Sequence, residues 1–67
     1  MPVARVTEVS STSTESFEDA IKQGVERANR SLRNVEGAWV KEQEVRIRDG
    51  QITDYKVNLK ITFILDD

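Results

Sequence analysis

The side chains able to hold an organic ligand lie in two stretches of this 67-residue chain, residues 37–44 and 56–60. Trp39, in Gly37-Ala38-Trp39-Val40, offers a flat π-face for a planar ring or a cation. Lys56 offers only donors and a positive charge, which suits a phosphate, a carboxylate or an acid such as Glu44. Gln43 and Asn58 are polar neighbours placed on the same sheet face by strand alternation. The acids Glu42, Glu44, Asp54, Asp66 and Asp67 carry oxygens that could ligate Ca²⁺ or Mg²⁺ where copies of the chain meet.

Catalytic machinery is scarce. Without histidine there is no imidazole base and no Ser-His-Asp triad. Without cysteine there is no thiolate nucleophile, no redox thiol and no disulfide. A zinc site built on these ligands is equally excluded. Carboxylates alone can do acid–base work, but no buried pair at a useful spacing can be named. The expectation is therefore a protein that is not an enzyme. Ten basic residues against twelve acidic ones give a net charge of −2, a poor balance for nucleic acid, where phosphate contacts need clustered Lys and Arg. No apolar run approaches the roughly 18 residues that would span a bilayer, and the start Met1-Pro2-Val3-Ala4-Arg5 lacks a signal-peptide pattern. Neither a membrane nor a nucleic acid is an expected partner, and the expected compartment is the cytoplasm.

The elements that must position these residues follow from periodicity. Residues 3–9 are rich in β-branched side chains and predict a strand. The hydroxyl run Ser10 to Thr14 reads as a break and a helix cap, with Thr12 and Glu15 at capping-box spacing and Ser13 as the competing cap. Phe17, Ala20, Ile21, Gly24, Val25, Ala28 and Leu32 then form one apolar stripe, predicting a helix over about residues 14–33. Gly24 lies on that stripe, where close approach of a neighbouring element is the expected reason for it. Residues 35–48 and 51–65 predict two further strands joined at Asp49-Gly50, a two-residue hairpin signal. In the last strand Tyr55, Val57, Leu59, Ile61, Phe63 and Leu65 share the face that covers the helix.

Counting back from the turn, where Arg48 faces Gln51, puts Val40 opposite Leu59, Trp39 opposite Lys60, Gly37 opposite Thr62 and Gln43 opposite Lys56. Gly37, Trp39, Lys41, Gln43, Val45 and Ile47 should then share the face away from the helix with Lys56, Asn58 and Lys60. Glu42, Glu44, Arg46 and Arg48 should fall on the helix side. The expected fold is α+β, a β-α-β-β unit with a three-stranded antiparallel sheet on one long amphipathic helix. It forms a single domain over residues 1–67. At 37% hydrophobic residues this chain has a thin core, and with no disulfide or zinc the expected support is self-association.

The order and spacing of several segments resemble the dodecins, small flavoproteins that assemble as hollow homododecamers. The resemblance rests on Glu8 to Ser13 closing the first strand and on Ser16 to Ile21 (S-F-E-D-A-I). It continues through Arg27-Ala28, Ser31 to Val35 (S-L-R-N-V), Val40 to Glu42 (V-K-E) and Tyr55 to Leu65 (Y-K-V-N-L-K-I-T-F-I-L). It spans nearly all of the chain.

The resemblance implies a homododecamer in which flavin rings (riboflavin or FMN) stack between tryptophans of symmetry-related subunits. Three departures fall on that site. Gly37 occupies the family's tryptophan position, while Trp39 stands two residues later at the usual glutamate. Lys56 replaces the flavin-contacting glutamine. Glu44 stands where many bacterial members carry arginine. The expected function is an oligomeric binding or storage protein with an altered flavin-type pocket, for a small flat or anionic ligand, in which flavin is weakly held or absent. The candidate ligand residues are Gly37, Trp39, Gln43, Glu44, Lys56 and Asn58. The alternatives are an ordinary flavin-sequestering dodecin and a Ca²⁺- or Mg²⁺-linked assembly without an organic ligand.

Overall fold

A computed structural model describes residues 3–66. The element order is β1 (Ala4–Ser13), α1 (Phe17–Ser31), β2 (Val35–Arg48) and β3 (Gln51–Ile64). The three strands form one antiparallel sheet in the order β1-β3-β2, so β3 is central and the other two are edges. This is the expected β-α-β-β layout.

The helix begins later than the hydroxyl run suggested. Ser16 is the N-cap, and its Oγ accepts from the Asp19 backbone N–H at 2.9 Å. Thr12 and Ser13 instead continue β1, which runs four residues beyond the predicted end. Alternating hydroxyls are compatible with an edge strand that has one face wet and one dry. Ser13 is the exception among them in being buried. Its hydroxyl donates to Asp19 Oδ2 at 2.6 Å and accepts from the Glu15 backbone N–H at 2.9 Å, tying the strand end to the first helical turn. At the other end the Leu32 backbone N–H closes the helix on the Ala28 carbonyl. Fifteen helical residues make a rod of about 22 Å, shorter than the predicted one.

The stripe packs as its spacing requires. Ala20, Gly24 and Ala28 are buried against the sheet. Ala20, Ala28, Val57, Leu59 and Ile61 form the core, flanked by Val9, Phe17, Ile21, Val25, Leu32 and Val35. Phe17 meets Tyr55 edge to face, with ring centres 5.2 Å apart. A Cβ on Gly24 would lie 2.9 Å from Leu59 Cδ1 and 3.1 Å from Ser11 Cβ, which is the close approach expected at that position.

Asp49 (φ 52°) and Gly50 (φ 76°) both take the left-handed conformation that a type I′ hairpin turn demands. Asn34 (φ 60°) makes the turn out of the helix region into β2. Its Nδ2 donates to the Ile64 carbonyl and to Asp66 Oδ1, pinning the chain's far end beside it. Two 14-residue strands extend about 46 Å, twice the helix, so the hairpin tip projects uncovered. Ile47 and Ile52 face each other there, 65% and 52% exposed. The molecule measures 51 × 19 × 13 Å. It exposes 5150 Å², whereas a compact monomer of this mass would expose about 4,300 Å².

The sheet register departs from simple counting in the middle of the hairpin. Thr53 is an extra residue in β3 between the pairs Ile47–Ile52 and Arg46–Asp54. Lys41 is an extra residue in β2 between Glu42–Asn58 and Val40–Leu59. The first bulge shifts the pairing by one and the second restores it. The predicted pairs Trp39–Lys60, Val40–Leu59 and Gly37–Thr62 are therefore present, but Gln43 pairs with Val57 and not with Lys56. Glu42, Glu44 and Arg46, expected on the helix side, stand opposite Asn58, Lys56 and Asp54 on the other face.

Candidate functional site

Four rows of residues cross the sheet face away from the helix, each with one residue from β1, β3 and β2. They are Val6–Thr62–Gly37, Glu8–Lys60–Trp39, Ser10–Asn58–Glu42 and Thr12–Lys56–Glu44. The paired bulges decide the last two rows. Without them, Gln43 and not Glu44 would face Lys56, and the carboxylates would lie under the helix.

An open cleft of about 260 Å³ lies over those two rows, lined by Glu42, Gln43, Glu44, Lys56 and Asn58. Of the six candidate residues the cleft gathers Glu44, Lys56 and Asn58 on one face; Gln43 borders it, but it pairs with buried Val57 and so lies in a helix-side row, not on the expected face away from the helix. Trp39 and Gly37 stand outside it, one and two rows further along the same face. Asn58 Nδ2 donates to Glu42 Oε1 at 3.1 Å, holding that carboxylate across the strand pair. Among the described residues the ion pairs are Arg33–Asp66 and Lys41–Glu8, which leaves Lys56 and Glu44 opposite one another without a direct bridge. The cleft therefore offers one ammonium, one engaged and one free carboxylate, and the Asn58 carboxamide. That set can hydrogen-bond the polar edge of a small molecule, with Lys56 available for an anionic group.

Trp39 is half exposed, and the Lys60 ammonium lies 5.7 Å from its ring centre. This cation–π contact occupies part of the ring surface. At Gly37 a Cβ would meet nothing within 4 Å, so this position of the face opens freely to its surroundings. Beyond the row of Lys60, the bulge residue Lys41 reaches Glu8 at 3.4 Å, bridging the face from one edge strand to the other.

Glu42, Lys41, Lys60 and Glu8 belong to this surface but were not among the candidate residues. Strand alternation alone put Glu42 on the wrong side, and neither bulge contains the glycine that would mark it in sequence. The acid group considered for a divalent ion does not come together within one copy. Among the described residues no three acidic side chains gather closely enough to hold a metal ion. Asp67, one member of that group, lies outside the described residues.

The dodecin family model matches residues 3–66. The chain belongs to the dodecin family. Solved dodecins superpose on it along almost their full length. The dodecin of Streptomyces davaonensis has a TM-score of 0.93 at 36% identity, covering 98% of this chain and 97% of that one. The Streptomyces coelicolor dodecin gives 0.92 at 35% identity, covering 98% and 94%. A calcium-chelating antigen described as a calcium dodecin, from Mycobacterium tuberculosis, gives 0.82 at 31% identity, covering 96% and 91%. No curated protein matches the sequence. Membership accounts for the helix, the hairpin and the uncovered sheet face. Among the described residues no helix is long and apolar enough to cross a membrane.

Proposed function

We propose that this dodecin is the subunit of a non-enzymatic homo-oligomer, a dodecamer by family likeness. It binds or stores a small molecule in a flavin-type pocket altered so that flavin is held weakly or not at all. The observation that carries this reading is Gly37. At the family's tryptophan position this chain has no side chain and open space, while its tryptophan stands one row away against Lys60. A flavin ring stacked in the family manner would lose its aromatic partner at that place. The cleft beyond adds to the argument. Lys56 stands where a glutamine would pair with a ring edge as both donor and acceptor, and it can only donate. Lys56 and Glu44 suit a small flat or anionic ligand of different edge chemistry.

Oligomerisation is supported by the surface excess over a compact monomer and by the exposed Val6, Trp39, Val40, Ile47 and Ile52. The absorption spectrum and native mass of freshly purified protein test the reading together. A colourless oligomer is expected. A yellow preparation with stoichiometric flavin, or a stable folded monomer at micromolar concentration, contradicts it.

A second reading is an assembly linked by Ca²⁺ or Mg²⁺. Glu42 and Glu44 in the cleft, and the likeness to a calcium dodecin, favour it. Thermal unfolding with Ca²⁺ and with chelator separates the two, because an ion bound only by the native state raises its apparent stability.

A further inference from the structure

We infer that the Lys41–Glu8 ion pair is a strap across the open sheet face that sets the length of ligand the face accepts, with Lys41 as the specificity-determining residue. The inference deepens the proposed reading, since it rests on this face being the binding site. Glu8 lies on β1 and Lys41 on β2, the two edge strands, and their side chains meet at 3.4 Å across the central strand β3. Lys41 is the bulge residue between the pairs Val40–Leu59 and Glu42–Asn58, and Glu8 pairs with Lys60. The strap therefore runs between the row that holds Trp39 and the row that holds Asn58 and Glu42. The cleft ends at that line. Its lining includes Asn58 and Glu42 but neither Trp39 nor Lys60.

The two sides of the strap offer different chemistry. On one side stands the half-exposed Trp39 ring, a surface for stacking. On the other stand Asn58, Lys56 and Glu44, which suit polar edges and an anionic group. Lys60 and Lys56 are four residues apart on β3, so the two surfaces are separated by about 13 Å. A ligand confined to the cleft, such as a single small anion, leaves the strap in place. A ring system that stacks on Trp39 and carries a polar arm to Lys56 must cross the line of the strap and separate Lys41 from Glu8. Both side chains are almost half exposed, so this opening has a small cost, which salt lowers further. The strap is thus a bias against long ligands and not a barrier to them.

The test compares the assembled wild-type protein with the charge-neutral double variant Lys41→Met, Glu8→Gln and with Lys41→Arg, which keeps the pair. Riboflavin is the long neutral probe, read by quenching of Trp39, the chain's only tryptophan. Inorganic phosphate is the short probe, read by calorimetry. Native mass and circular dichroism check assembly and fold. The double variant is expected to bind riboflavin about two- to fivefold more tightly than the wild type in low salt, the range an exposed ion pair can supply. Its phosphate affinity should match that of the wild type. Raising the salt should strengthen riboflavin binding by the wild type and by Lys41→Arg, and leave the double variant unmoved. Equal riboflavin affinities of wild type and double variant in low salt overturn the inference. So does wild-type binding that fails to rise with salt, or an equal gain for phosphate. Stoichiometric riboflavin binding by the wild type, with the same factor still separating it from the double variant, would overturn the altered-pocket reading and leave the strap standing.

Discussion

Glu44 and Lys56 stand directly opposite one another across the β2–β3 pair, on the sheet face away from the helix. They meet there because Thr53 and Lys41 shift the register and then restore it. Between the two bulges, Glu42 and Glu44 are turned out to the same face as Asn58 and Lys56. The chemistry of the cleft therefore depends on two backbone irregularities as much as on the identities of its residues.

If the altered residues suppress flavin binding, restoring them together should recover it. The triple variant Gly37→Trp, Trp39→Glu, Lys56→Gln is expected to bind riboflavin at least about 100-fold more tightly than the wild type, a gain of about 2.7 kcal/mol. Lys56→Gln alone should gain much less, because the stacking partner is still missing. Flavin fluorescence quenching measures both. Equal affinities of wild type and triple variant would count against the altered pocket.

Gly24→Ala sets two effects against each other. Alanine gains about 1 kcal/mol of helix propensity over glycine. Its Cβ, however, would press on buried Leu59 at 2.9 Å and on Ser11 Cβ at 3.1 Å. Overpacking of a tight contact costs about 1–3 kcal/mol, so the net change is expected to be destabilising by about 1 kcal/mol. Thermal unfolding at fixed protein concentration should show a midpoint lowered by several degrees. A raised midpoint would mean that the helix can move off the sheet at no cost.

Ile61→Asp places a carboxylate where the side chain is fully buried beneath the helix. No cation lies among the core residues around it. The loss is expected to exceed about 4 kcal/mol and to abolish folding. Circular dichroism checks this, and a folded variant would contradict the face assignment of β3.

Lys41→Met should have the opposite character. The Lys41–Glu8 pair is almost half exposed at both ends, and such bridges contribute about 0–1 kcal/mol. Chain stability should change by less than about 1 kcal/mol, and the small effect should shrink in high salt. A large, salt-insensitive loss in denaturant unfolding would mean that Lys41 holds the bulge in place.

Much of this fold was legible because it is written in periodicities. The stripe from Phe17 to Leu32 predicts the helix, Asp49-Gly50 predicts the hairpin, and the alternation from Tyr55 to Ile61 predicts the buried face of the central strand. Gly24 signalled its close contact because a glycine on the apolar stripe gives up helix propensity, and a Cβ there would press on Leu59. The boundaries at Ser10–Ser16 were misplaced because serine and threonine serve equally as caps and as edge-strand residues. The facing of Glu42, Gln43 and Glu44 was hidden for a different reason. A bulge at Lys41 or Thr53 leaves no compositional mark, yet each flips the facing of every residue up to the next one. Pairs beyond both bulges, such as Trp39–Lys60, were correct because the two shifts cancel.

Titrating riboflavin into the assembled protein, with Trp39 and flavin emission followed together, bears on the rebuilt slot most directly. The expected curve is shallow and unsaturated at micromolar flavin, with the oligomeric mass unchanged. Stoichiometric quenching to a sharp end point, with two stacked rings per slot in the usual dodecin manner, would contradict it.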